Sequence, residues 1–158
     1  MNNIKDFKDL NQKIVLLRLD LNVPIKQGII TDETRINKIL PTIQFLLLEK
    51  SKIIIVSHVG RPKGNINKDL SLKPICENLE KKINQKIRMF NENIFKLKKE
   101  DLFKDPNEQL IFLENIRFYK EEEENDINFS KNLAKLADLF INDAFSCSHR
   151  AHSSVSKI

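Results

Sequence analysis

Glycine is scarce in this chain of 158 residues: only Gly28, Gly60 and Gly64 occur. That scarcity excludes two common phosphate cradles. A Walker A loop needs a glycine, four residues, then Gly-Lys-Ser/Thr. Here three residues separate Gly60 from Gly64, and Asn65 follows. A dinucleotide fingerprint needs three closely spaced glycines after a strand, and this spacing cannot supply them. Cysteine is equally sparse. Cys76 and Cys147 make no disulfide framework. No apolar run approaches the length of a membrane span. The opening MNNIKDFKDLNQK lacks the apolar core of a secretion signal. The expected location is therefore cytoplasmic, with no membrane partner.

Arginine is the informative shortage. Of 27 basic residues only six are Arg: 18, 35, 61, 88, 117 and 150. Lysine serves as the routine surface cation. An Arg offers what Lys cannot, a planar fork that grips carboxylate or phosphate with two bonds. The net charge of +5 and pI near 9.2 suggest an anionic partner. Nucleic acid is disfavoured. The ten Phe and one Tyr fall mostly in strand or helix patterns, with no aromatic-basic platform.

What the chain does have is alternation. Buried strands are expected at Ile14–Leu19, Lys52–Ser57, Lys86–Phe90, Leu110–Leu113 and Leu139–Ile141. A helix capped by Thr31 or Asp32 should run to about Lys50, with Pro41 kinking or interrupting it. Further helices are expected from Ser71 to about Asn84 and over Ile127–Ala137. Asn91–Asn107 is polar and less regular, with room for a short helical turn. KEEEEN, Lys120 to Asn125, reads as a solvated loop or helix start. Continuous apolar strands alternating with amphipathic helices imply an α/β fold. We expect a three-layer, Rossmann-like parallel sheet with helices on both faces, in one domain.

In such a sheet, ligands bind beyond the carboxyl ends of the strands. There the sequence places Asp20 and Asn22, then His58, Arg61 and Lys63, then Asn115 and Arg117, and finally Asn142, Asp143, His149 and Arg150. Arg35 opens the first helix. Only Arg18 and Arg88 lie inside strands. The pattern describes a basic bowl for a small polyanion, with Asp20 and Asn22 free to accept from a substrate hydroxyl. Singly, each Arg could be an ordinary surface residue; jointly they point to a site. Cys147, His149 and His152 form C-x-H-x-x-H, but no second cluster completes four ligands, so no metal is expected.

Six blocks now resemble one family: RLDLNVP (18–24), DETRINKILPTI (32–43), SHVGRPKG (57–64), LSLKPICENL (70–79), LENIRFYKEEEEN (113–125) and NDAFSCSHRAHSSV (142–155). In this order they are similar to the N-terminal domain of phosphoglycerate kinases. Leu21 stands where the family usually has Phe. SCS precedes His149 where a Gly-Thr-Ala-like stretch is usual. The resemblance implies a domain over 1–158, incomplete at its C-terminal end, that binds 3-phosphoglycerate or 1,3-bisphosphoglycerate. It implies substrate contacts from Asp20, Leu21, Asn22, Arg35, His58, Val59, Gly60, Arg61, Arg117 and Arg150. Arg35 would be catalytic, stabilising the phosphoryl group in flight. Gly60 would let the backbone approach the ligand. Mg-ATP or Mg-ADP would be bound by a C-terminal domain of the same enzyme, with no cofactor on this chain and a monomer as the assembly. The reaction implied is glycolytic, and this chain alone would be inactive. The alternative is a non-catalytic fragment that binds small anions.

Overall fold

A computed structural model describes residues 7, 9–144 and 154. Seven strands and four α-helices occur among them, in the order β1 (Ile14–Leu19), β2 (Ile25–Lys26), β3 (Ile29–Ile30), α1 (Thr34–Leu48), β4 (Lys52–Val56), α2 (Lys73–Ile83), β5 (Arg88–Phe90), β6 (Leu110–Leu113), α3 (Lys120–Glu123), α4 (Ile127–Ala134) and β7 (Leu139–Asp143). Five strands form one parallel sheet in the order β5-β6-β4-β1-β7; β2 and β3 form a separate two-residue hairpin.

The direction of travel explains the layers. The chain moves outward from β1 to β4 to β5, then turns back through β6 and crosses to β7 on the far side of β1. Crossovers between parallel strands are right-handed, so reversing direction moves the connection to the other face. One face accordingly carries Ile36, Ile39, Ile43 and Leu46 of α1 with Ile75 and Leu79 of α2, against Val15, Leu17, Ile53, Ile55 and Phe112. The other carries Phe129 and Leu133 of α4 with Ile94, Leu97 and Leu102, against Leu16, Ile54, Val56 and Ile111. The expected three-layer α/β fold is what forms. Each fully buried aliphatic side chain contributes about 1.5–3 kcal/mol.

Several boundaries differ from expectation for local reasons. α1 runs unbroken through Pro41. Pro41 and Asn37, whose carbonyl loses its partner, are both exposed, so water can replace the missing bond. α2 begins at Lys73 with Pro74 in its first turn. Ser71 Oγ still accepts from Lys73 N at 3.2 Å, capping from one residue further out. The Asp126 carboxylate caps α4 by accepting from Phe129 N at 2.8 Å, but the helix ends at Ala134, three residues before the expected Ala137. The irregular stretch after β5 contains two 3-10 turns, Ile94–Lys96 and Lys99–Asp101. No helix among the described residues is long and apolar enough to cross a membrane.

Candidate functional site

The connections leaving β4 and β6, which are neighbours, depart to opposite faces of the sheet. In open α/β sheets, ligands bind beyond the ends of two such strands. The segments that leave there are SHVGRPKG, with four of the expected site residues, and ENIRF, with Arg117.

The SHVGRPKG loop is held from both sides. Gly60 N donates to Asn22 Oδ1 at 3.0 Å, tying the loop to the segment after β1. Gly60 O accepts from Arg117 Nη1 at 3.1 Å, and Gly64 N donates to Arg117 O at 3.2 Å. Asn115, fully buried, donates from Nδ2 to Val59 O and to Leu70 O, both at 2.9 Å. Its Oδ1 accepts from Arg117 N at 3.1 Å. Ser57 Oγ donates to Leu19 O at 2.7 Å and accepts from Leu21 N at 3.2 Å. Backbone groups that leave the sheet are thereby satisfied by side chains in place of a ladder.

Gly60 has φ +65°, and a Cβ there would lie 2.7 Å from Leu70 Cδ2. The positive φ favours glycine at this point before any ligand is considered, and the Leu70 side chain would have to shift to admit a Cβ. Pro62 is buried beneath the loop, while Arg61 and Lys63 face solvent.

On the β1 side, Arg35 Nη1 donates to Asp20 Oδ1 at 2.5 Å. The Asp20 carboxylate thus holds the Arg35 guanidinium beyond the end of β1; Arg35 is 46% exposed, so solvent weakens the pair. Leu21 and Val59 send their side chains into the core beneath the sheet ends. They can meet a ligand only through their backbones. Asn22 is exposed, its Oδ1 already engaged by Gly60.

The structure thus brings Asp20 to Arg35, Asn22 to Gly60, and Arg117 to Gly60. It buries His58 and Arg117 to 2% exposure, and a loop rarely buries a guanidinium unless its charge is matched. Arg150, Cys147, His149 and His152 lie outside the described residues. Asp143, at the end of β7, accepts from Thr42 Oγ1 at 2.7 Å and so ties that strand to α1.

Three participants were not legible as site residues. Arg18 is fully buried behind His58. Glu122, one of the four glutamates in KEEEEN, is buried and not solvated. Ser154 is buried against it. The signal for Arg18 was its own position: a cation inside an apolar strand needs a partner. Glu114 was also missed. Its carboxylate accepts from Leu72 N at 2.8 Å, Asn115 N at 2.7 Å and Ser71 Oγ at 2.7 Å, joining the end of β6 to the start of α2.

Cys76 has no part in this chemistry. It is buried in α2, and burial with the nearby Glu80 carboxylate pushes its thiol up to about 12. Among the described residues no group of His, Cys, Asp or Glu is arranged to hold a metal ion.

Comparison with known proteins places this geometry. Residues 4–158 match the family model described as phosphoglycerate kinase. A phosphoglycerate kinase of Wolbachia pipientis wMel is 53% identical over 152 residues, which cover 95% of this chain and 37% of that protein. The Helicobacter pylori J99 enzyme of the same name is 50% identical over 158 residues, 98% of this chain and 39% of that protein. Among solved structures, phosphoglycerate kinase from Coxiella burnetii superposes with a TM-score of 0.83 at 39% identity, over 94% of this chain and 37% of that one. The Pyrococcus horikoshii OT3 enzyme gives a TM-score of 0.84 at 30% identity. The chain spans less than two-fifths of the length of these relatives, whose covered shares are 37–39%.

Proposed function

Because this chain belongs to the phosphoglycerate kinase family, we propose that it is the acid-substrate domain of such an enzyme. In this reading, 3-phosphoglycerate and 1,3-bisphosphoglycerate bind in the bowl beyond β1, β4 and β6. His58, Arg61, Arg117 and Arg150 hold the phosphate that is not transferred. Asp20 and Asn22 meet the hydroxyl and carboxyl end. Arg35, held at the rim by Asp20, faces the acyl phosphate.

The observation that carries the proposal is the junction at Gly60. Its amide and carbonyl are clamped by Asn22 and Arg117 respectively, so the three strand-end segments form one rigid wall. Rigidity is what phosphoryl transfer needs. The reaction calls for positioning and charge stabilisation more than for covalent help. A β-phosphate oxygen of ADP attacks the acyl phosphorus, the acyl C–O–P linkage breaks at the P–O bond, and the carboxylate leaves. Arg35 offsets the charge that spreads over the moving phosphoryl oxygens. The Mg-nucleotide belongs, in this reading, to the part of the relatives' length that this chain does not span. The loops described here carry no glycine-rich phosphate cradle for it.

Calorimetry on this chain tests the reading. We expect a heat of binding with 3-phosphoglycerate and none with MgATP. Tight MgATP binding with no response to 3-phosphoglycerate would overturn it. Adding the complementary C-terminal part of a relative should then restore turnover. Phosphoglycerate binding without such rescue would instead favour a non-catalytic anion-binding module.

A further inference from the structure

Arg18 sits fully buried near the carboxyl end of the apolar run of β1, on the same face as Leu16. Its guanidinium is aimed in three directions. Nε donates to Ser154 Oγ at 3.0 Å, Nη1 to Leu19 O at 3.0 Å, and Nη2 meets His58 Nδ1 at 3.1 Å. A guanidinium carries donors only and is not deprotonated in proteins. The bond to His58 therefore has one possible polarity: Nδ1 is the acceptor and holds a lone pair. A ring with its lone pair on Nδ1 carries its proton on Nε2.

The other arm leads to a carboxylate. Ser154 Oγ donates to Glu122 Oε1 at 2.5 Å, and Ser154 N donates to Oε2 at 2.8 Å. Glu122 is fully buried in α3, close enough to Arg18 and Arg117 to feel both charges. The order is then Glu122, Ser154, Arg18, His58, with every donor pointing toward the carboxylate or toward Nδ1. In a dry setting such a chain polarises each member.

We propose that Arg18 and Glu122 are positioning residues which lock His58 as the neutral Nε2–H tautomer, so that the ring serves the site as an uncharged donor and not as another cation. The step from tautomer to substrate rests on the phosphoglycerate reading above; the tautomer itself does not. The lock gives the bowl a division of labour. Arg61 and Arg117 supply charge, while His58 supplies a directed N–H whose orientation is set from behind. An imidazolium could not occupy the same place, because its Nδ1–H would confront the Arg18 donors.

The test is long-range proton–nitrogen NMR on the uniformly labelled 158-residue chain without ligand, with His58 assigned by loss of its signals in His58→Gln. We expect an unprotonated, pyridine-like Nδ1 and a protonated, pyrrole-like Nε2. A protonated Nδ1 overturns the lock, whether or not 3-phosphoglycerate binds. Glu122→Gln removes the charge that anchors Arg18. It should introduce the second tautomer and raise the Kd for 3-phosphoglycerate roughly tenfold, about one hydrogen bond's worth. An unchanged ring spectrum in that variant overturns the role of Glu122. Should it not fold, Ser154→Ala removes a single hydroxyl from the relay and carries the same expectation. If the native chain shows the Nε2–H tautomer but fails to bind 3-phosphoglycerate, the substrate reading falls and the lock stands.

Discussion

Strand β1 carries a buffered carboxylate at each end, and the two are opposites. At its start, Asp138 accepts from Ile14 N at 2.9 Å and from Lys99 Nζ at 2.6 Å, while Asp138 N donates to Ile14 O at 2.8 Å. The Lys99 ammonium first, and the Ile14 amide second, hold the Asp138 carboxyl below its ordinary range. At the other end, burial pushes the Glu122 carboxyl up, against the Ser154 hydroxyl and the Arg18 and Arg117 charges that pull it down. The same residue chemistry is titrated in opposite directions because one site is wet and the other dry. Asp138 and Lys99 are 36% and 38% exposed. The Ile14 bonds close the start of β7 onto β1, and Lys99 adds an exposed ion pair there. Glu122 pays desolvation at the carboxyl end of the strand, and what it returns, in our proposal, is orientation.

Removing one partner at each end should separate the two most strongly. Arg18→Met leaves Glu122 buried without its nearest relay to a cation and His58 Nδ1 without its donor. We expect a loss of about 3–5 kcal/mol by urea unfolding. Asp138→Asn, by contrast, should cost under about 1 kcal/mol, since exposed pairs contribute little. Comparable losses in both variants would erase the distinction.

Gly60→Ala sharpens the comparison from the backbone side. The φ of +65° and the Leu70 contact at 2.7 Å forbid an easy fit. The expected cost is about 1–3 kcal/mol, with phosphoglycerate binding lost disproportionately because the clamp to Asn22 and Arg117 shifts. A variant as stable and as tightly binding as the parent would remove Gly60 from the site.

The pH dependence of stability should show the opposite signs directly. A raised folded-state pKa means Glu122 contributes stability that is present below its ordinary 4.5 and is lost as pH rises through the raised value. A lowered one means Asp138 contributes above its ordinary 3.8 and loses that as pH falls through the lowered value. Urea midpoints across mild and strong acid should therefore change on the alkaline side of 4.5 in Glu122→Gln, and on the acid side of 3.8 in Asp138→Asn. The smallest stability effect is expected from exposed Arg61. Arg61→Lys should leave the urea midpoint within about 0.5 kcal/mol of the parent, yet weaken phosphoglycerate binding because a point charge replaces a fork.

The layers, and the residues gathered beyond the strand ends, were legible in the sequence because both leave a local trace. Apolar runs such as KIIIV and LIFL mark strands buried on both faces. Arg61 and Arg117 beyond two neighbouring strands stand out against a background of lysine. What lay behind the rim left none. Glu122 looks like its three neighbours in a run of glutamates until the fold brings Ser154, 32 residues away, onto its carboxylate. Arg18 was set aside because it lies within a strand, though an apolar strand is where a lone cation most needs an explanation. The hairpin of β2 and β3 escaped notice because two residues per strand show no period. Gly60 was read for close approach to a ligand; its φ of +65° was not legible, because a backbone angle leaves no mark in composition.

The most direct test is to map 3-phosphoglycerate onto the chain by amide NMR. The account predicts shifts at Asn22, Gly60 and Arg117, beyond the ends of β1, β4 and β6, with Ile14, Lys99 and Asp138 at the opposite end unmoved. Shifts concentrated at the Asp138 end, or the same shifts produced by MgATP in place of 3-phosphoglycerate, would contradict it.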